Sequence, residues 1–301
     1  MMTPSVETTR SQPDRSPLRL LSCVRFDEVC LLQGAPLIGA MFSIDALSLE
    51  NALVLALVIA GSLCLVAHVF VLNDWSGIHA DLRDPARADR TFIAKGVSRT
   101  GLGYLAIALL VLALLLFALV GAIPFAIAAA IAGASALYSA PAFHMKGRPG
   151  FGSALHLVGG VLHFLLGYAA FSSIDTRGVL IGCFFALVFT AGHLTHEARG
   201  YEGDFLNGIR TNAVAFGKTR SFATGLVLFT AAYAWLAMLA ASGLVPHVLL
   251  LASLLYPLHL WMSLRALRVG LTLESLCRLQ RAYRLLYAII GVALIAAAYG
   301  R

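Results

Sequence analysis

The chain has 301 residues, of which 59% are hydrophobic and only 12% charged, with a formal net charge of +7. That balance excludes a soluble domain of this length, which would need far more polar surface to stay in water. The basic excess sits in loops on one side of a series of apolar runs, so it reads as a topology signal and not as a nucleic-acid footprint.

Residues 1–18, MMTPSVETTRSQPDRSPL, are polar and rich in Pro, Ser and Thr. They are expected to form a disordered cytoplasmic tail, with no basic segment leading into a cleavable apolar core. Residues 19–301 are expected to form a single membrane domain. Long charge-free runs place nine helices near 28–43, 51–72, 101–121, 123–139, 152–172, 178–196, 221–242, 245–264 and 282–299. A helix rises about 1.5 Å per residue, so runs of this length match a hydrocarbon core of about 30 Å. Helices alone satisfy their own backbone groups in lipid. The first run is the weakest, because Gly34-Ala35-Pro36 interrupts it.

The links alternate in character. Gly121-Ala122 and Gly243-Leu244 are very short, whereas the links on the other side are long and charged. The charged side holds 20 of the 22 Lys and Arg residues, leaving only Arg177 and Arg301 opposite. This asymmetry places the charged loops and the N-terminus in the cytoplasm and the C-terminus outside. A bacterial inner (plasma) membrane is the expected location. The five cysteines, Cys23, Cys30, Cys64, Cys183 and Cys277, are scattered without a CxxC pair and read as reduced packing residues.

Two charged loops echo each other. The first reads NDWSGIHADLRDP over residues 73–85, the second HEARGYEGDFLNG over 196–208. Asp74, Gly77 and Asp81 correspond to Glu197, Gly200 and Asp204. On a helix this spacing puts both carboxylates of a motif on one face, with a glycine between them that leaves room for a ligand. Four helices separate the copies, which points to an internal duplication. Acids grouped where basic loops are the rule repel one another, and a divalent cation relieves that repulsion. Mg²⁺ takes oxygen ligands and commonly shares them with phosphate. Two such groups facing one cavity would hold Mg²⁺ around a diphosphate. Arg87, Arg90, Lys95, Lys146, Arg148, Arg199, Arg210 and Lys218 lie near the motifs. Among them Arg90 and Lys146 are the preferred candidates to carry the charge of a leaving diphosphate. The alternative for each is a plain topology residue. His156 and His163 are seven residues apart on one predicted helix, and His193 and His196 end the next. They would either line an acceptor pocket or tie helices together, with His196 favoured for function because it adjoins Glu197.

The motifs together resemble the UbiA-type membrane prenyltransferases. Asn73-Asp74 and Asp81 are similar to that family's NDxxDxxxD, and Arg90-Thr-Phe-Ile-Ala-Lys-Gly96 to its RPxxSG. Tyr138-Ser139-Ala-Pro141 with Lys146 resembles its YSxP…K segment. Glu202-Gly203-Asp204, followed by Gly208-Ile209-Arg210-Thr211 and Phe216-Gly217, resembles its EGDxxxGIxT…G run. The likeness runs over nearly the whole chain. It implies an all-α membrane protein, nine transmembrane helices bundled around a central cavity with a cytoplasmic mouth. It also implies an Mg²⁺-dependent enzyme that moves a prenyl group from an isoprenyl diphosphate to a lipophilic acceptor such as a quinone precursor. The site residues it implies are Asn73, Asp74, Asp81, Glu197 and Asp204 for Mg²⁺. Arg90, Lys146, Arg199, Glu202 and Tyr138 would bind substrate, with Asp81, Asp204 and His196 at the chemistry. Both motifs depart from the family at one place: Gly77 and Gly200 stand where it carries aspartate. His79, Asp84, Glu197 and Glu202 are then the available substitutes, and either one or two Mg²⁺ ions remain compatible with the sequence. Rival readings are a terpene cyclase, a sugar-phosphate transferase acting on a lipid, and a non-catalytic transporter or lipid-binding homologue.

Overall fold

The computed structural model describes residues 17–46, 48–143 and 145–299. Most of the expected tail lies outside that range, and the described chain opens with a short helix, α1 (Pro17–Leu21). All regular structure among the described residues is helical. Helices α2 (Phe26–Leu32) and α3 (Gly34–Ser43) are followed by α4 (Leu49–Arg83), α5 (Arg99–Val120), α6 (Ala122–Ser139), α7 (Phe151–Tyr168) and α8 (Thr176–Arg199). The short helices α9 (Tyr201–Leu206) and α10 (Asn212–Phe216) lead into α11 (Lys218–Ala241), α12 (Tyr256–Arg268) and α13 (Leu273–Tyr299). A 3-10 segment, His247–Leu255, runs directly into α12.

Among the described residues, eight helices are long and apolar enough to cross a membrane: α4, α5, α6, α7, α8, α11, the joined segment His247–Arg268, and α13. The chain is therefore an integral membrane protein. The first predicted run does not form one uninterrupted helix. It breaks at Gln33, just before Gly34-Ala35-Pro36, because proline has no N–H to give to a preceding turn.

Helix α5 illustrates the lipid interface. Ile107, Val111, Leu115 and Leu119 recur every four residues and are all exposed. Leu102, Ala106, Ala113 and Phe117 fall on the opposite side and are all buried. An apolar stripe with no water-soluble function, on a helix whose other face fills the core, is a surface made for acyl chains.

Helix starts are set locally. Ser48 and Ser98 accept hydrogen bonds from the Asn51 and Gly101 amides at the starts of α4 and α5. Asp175 does the same for α8, accepting from Gly178 N at 2.7 Å and from the Tyr168 hydroxyl at 3.0 Å. The Gly178 amide bond is the main cause that holds the Asp175 carboxyl below its ordinary range. A lowered folded-state value means the stabilisation is present above the unfolded value and is lost as pH falls through the folded one. Asp175→Ala is expected to cost about 1 kcal/mol and Asp175→Asn far less, measured by thermal unfolding in detergent.

The interior is closed by helices that touch backbone to backbone. Helix α3 lies against α4, α7, α8 and α13. At Gly39 an added Cβ would fall 2.1 Å from Phe164 O, and at Gly167 only 1.8 Å from Pro36 O. Only glycine permits this approach of α3 to α7.

Helices α4 and α13 extend furthest beyond their predicted limits. Helix α4 continues for three turns past residue 72 and carries the whole first acidic motif, as the spacing predicts. Helix α13 begins at Leu273, taking up basic residues assigned to a loop. The second motif departs from the single-helix expectation: α8 ends at Arg199, Gly200 bends the chain, and Asp204 belongs to α9.

Candidate active site

The two acidic motifs meet. The Asn207 side chain donates to Ala80 O at 3.1 Å, tying the second motif to the α4 end. Asp84 packs on Gly203 so closely that a Cβ there would lie 2.2 Å from Asp84 Oδ2. Arg87 joins them: its guanidinium is 3.2 Å from both Asp81 and Asp84. A Cβ placed on Gly200 would lie 2.9 Å from the same guanidinium. The 140–150 loop supplies Lys146, whose amine is 3.5 Å from Asp204 Oδ1. That loop is pinned by Gly150 N donating to Asn212 Oδ1 at 2.7 Å.

Asp204 is 5% exposed. Burial pushes its carboxyl above the ordinary carboxylate range, and Lys146 and then Arg87 pull it part of the way back. Such a group is held without full hydration and is released from strain when a cation joins it. Glu197 lies near enough for its charge to act on Asp204; it is also 5% exposed, and its Oε2 is buried with no hydrogen-bond partner. Its other oxygen is 3.1 Å from His193 Nε2, outside hydrogen-bonding alignment.

Below these acids lies a shelf of rings. His156 and His193 stack at 3.8 Å between centroids, and Tyr138 meets both edge-on. His156 Nδ1 is anchored on Gly152 O at 2.8 Å. An open apolar groove of about 460 Å³ between α7, α8 and α11 is lined by Leu157, Val161, Leu187 and Trp235, with Leu157 exposed. By helical rise, Cys183–Leu187 sit about 9–15 Å deeper than His193 along α8. The groove size is within the range of small-molecule sites.

The expected residues fall into groups. Asp81, Glu197, Asp204, Lys146 and Tyr138 converge. Asn73 sits on the inner side of α4 and donates to Ser139 Oγ at 3.3 Å. Asp74 is paired with Arg25, whose Nε lies 3.2 Å from Oδ2 while Nη2 contacts Oδ1. Arg199 donates to the Gln280 side chain and has its Nη2 2.9 Å from His196 Nδ1. His196 has exposed surface but lies within electrostatic reach of Arg87, Lys146 and Arg199. Glu202 points outward, 67% exposed, to Lys218 at 2.6 Å. Arg90 is exposed. Arg25 was not singled out in the sequence, and no local signal marks it, since 49 residues separate it from Asp74.

Magnesium fits one part of this arrangement. Among the described residues no three His, Cys, Asp or Glu side chains converge as a preformed metal cage. Mg²⁺ needs no such cage, because it usually takes one or two carboxylates and completes its shell with water and phosphate oxygens. Asp81, Asp204 and the unpartnered Glu197 oxygen are oxygen donors of the right kind. The Asp74 end does not fit as well, since Arg25 spans both carboxylate oxygens.

The fold has known counterparts. A UbiA homologue from Archaeoglobus fulgidus bound to GPP and Mg²⁺ superposes with a TM-score of 0.70 at 17% identity, covering 94% of this chain and 98% of that one. The apo UbiA homologue from Aeropyrum pernix K1 gives 0.70 at 19% identity, covering 91% and 98%. A digeranylgeranylglyceryl phosphate synthase gives 0.69 at 17%, covering 94% and 99%. Comparison with curated proteins returns no match. The sequence profile of the UbiA prenyltransferase family matches residues 35–270. With that match across most of its length, this chain belongs to the UbiA prenyltransferase family.

Proposed function

We propose that this protein transfers a prenyl group from an isoprenyl diphosphate to a lipophilic acceptor within the membrane, in an Mg²⁺-dependent reaction. The observation that carries the reading is the meeting of two acidic motifs with Arg87 and Lys146 beside an aromatic shelf. Membership of the family supports the reaction class. The homologues described with GPP or DMAPP and Mg²⁺ support the donor and the metal.

In this reading Asp81, Glu197 and Asp204 hold Mg²⁺, with Asn73 beside them. When bound, the ion neutralises charge on the diphosphate oxygens as the C–O bond breaks. Lys146 and Arg87 face the same oxygens and stabilise the leaving group electrostatically. Arg199 is positioned by Gln280 to add to that field and to orient His196. The rings of Tyr138, His156 and His193 shield the allylic cation from water. His196, beside Arg199, serves as the acceptor's proton-accepting group. The apolar groove takes the prenyl chain.

The same reading makes α2 and α3 together a ninth span. Residues 26–43 rise about 27 Å, close to the core thickness, and α3 is enclosed by four neighbouring helices. Residues 19–301 then form one membrane domain. The site opens to the cytoplasm, the side of the basic loops, in a plasma membrane, with the C-terminus outside.

The experiment is incubation of purified protein with radiolabelled C10, C15 and C20 diphosphates, with and without Mg²⁺, in the presence of lipid extract. A labelled lipid that forms only with Mg²⁺ is expected. A cyclic hydrocarbon formed without acceptor would replace the reading with a cyclase. Diphosphate binding with no product would leave a non-catalytic homologue.

A further inference from the structure

The Asp74 end of the site is built differently from the Asp204 end. Asp74 has a cationic partner whose guanidinium spans both of its oxygens, from Arg25 at the start of α2. Planar two-point pairing of this kind is the strong and oriented form of a charged hydrogen bond. The arginine is not a free surface chain. Its guanidinium stacks over the Phe70 ring at 5.7 Å, one turn before Asp74. The preceding residues Cys23 and Val24 are buried in a cluster with Val71, Phe92 and Leu102. This cluster fixes the backbone that presents Arg25. The first motif also lacks a carboxylate at Gly77, where an added Cβ would meet nothing nearer than Asp81 Oδ2 at 3.7 Å. Space for the acid exists, and the acid is absent. On the second motif Arg87 occupies the space beside Gly200. Thus Asp74, which shares a face of α4 with Asp81, is already bridged on both oxygens by an arginine. Asp81, Glu197 and Asp204 remain, one with an unpartnered buried oxygen.

We propose that Arg25 is a diphosphate-binding residue which, fixed on Asp74, takes the place of a second divalent ion, so that the substrate binds with one Mg²⁺ on the Asp81–Glu197–Asp204 side. The inference rests on the prenyl-transfer reading. The two nitrogens that face Asp74 leave further N–H groups on the guanidinium fork, and these can donate to a phosphate oxygen. A guanidinium brings one positive charge with weak hydration, where a metal ion would bring two.

The test counts metal ions directly. Full-length protein in detergent is titrated with Mn²⁺ in saturating geranyl S-thiolodiphosphate, an analogue that resists ionisation, and free Mn²⁺ is read by electron paramagnetic resonance. One Mn²⁺ per chain is expected for the wild type. Arg25→Gln is expected to weaken analogue binding by about tenfold or more, as loss of a charge-assisted contact does. Arg25→Lys keeps the charge but not the fork, and is expected to retain one ion with intermediate affinity. Arg25→Gln combined with Gly77→Asp is expected to take up two. Two Mn²⁺ on the wild type, unchanged affinity in Arg25→Gln, or a double variant still limited to one ion would each overturn the inference. If the wild type fails to bind the analogue at any Mn²⁺ concentration, the prenyl-transfer reading itself falls and takes this inference with it.

Discussion

Asp204→Ala is expected to reduce prenyl transfer by about a thousandfold or more while leaving the protein folded and inserted. Asp204 sits between Lys146 and the Arg87 cluster, nearly excluded from solvent, with burial raising its carboxyl above the usual range. A group in that state is a cost to the folded protein, carried because it meets a cation in use. Its removal leaves Lys146, a quarter exposed, free to hydrate. The thermal midpoint should therefore stay level or rise while activity disappears. Asp81→Ala is expected to behave alike in activity. It also frees Arg87 from one of its two carboxylates, so a small loss of stability is expected there. Activity per folded molecule, read beside the melting curve, separates the two effects. Full activity in both variants would remove these acids from the site.

Gly167→Ala is expected to produce the largest loss of stability of any single methyl added to this chain. The new Cβ would fall 1.8 Å from Pro36 O and 2.7 Å from Pro36 C. These are backbone atoms of α3, so no side-chain rotation relieves the overlap, and α3 must move away from α7. Overpacking at side chains costs about 1–3 kcal/mol, and a clash between two backbones lies at or above the top of that range. Gly159 is on the same helix with nothing within 4 Å of an added Cβ. Gly159→Ala should be neutral or stabilise by about 1 kcal/mol through helix propensity. A Gly167→Ala protein that melts with the wild type would show that α3 does not hold this position.

The acidic site divides in an instructive way. Asp81, Asp204 and Glu197 stand out in the sequence because their chemistry is anomalous for their setting: acids in a basic loop environment, repeated at one spacing in two places. Lys146 stands out only as a base near the motifs and through the resemblance. Tyr138 was visible only through the resemblance. Glu202 carries the same anomaly in sequence, yet it turns outward to Lys218. The bend at Gly200 is the reason, since residues beyond it follow a new helix axis. His193 and not His196 stacks within the core, because the end of α8 presents residue 193 toward His156 on α7 and residue 196 toward Arg199.

Chain-local physics determined most of the architecture. Apolar run length sets where helices are long enough to cross lipid, and serine and aspartate caps set where several begin. These effects act within a few residues or through composition, so one sequence displays them in full. Tertiary structure alone decided which charges share a site. Arg25 reaches Asp74 across 49 residues, and Arg199 reaches Gln280 across 81. Arg87 stands beside Gly200 because α4 and α9 pack together. Electrostatic partnership depends on distance through space, and in a helical bundle that distance is set by which helix faces meet.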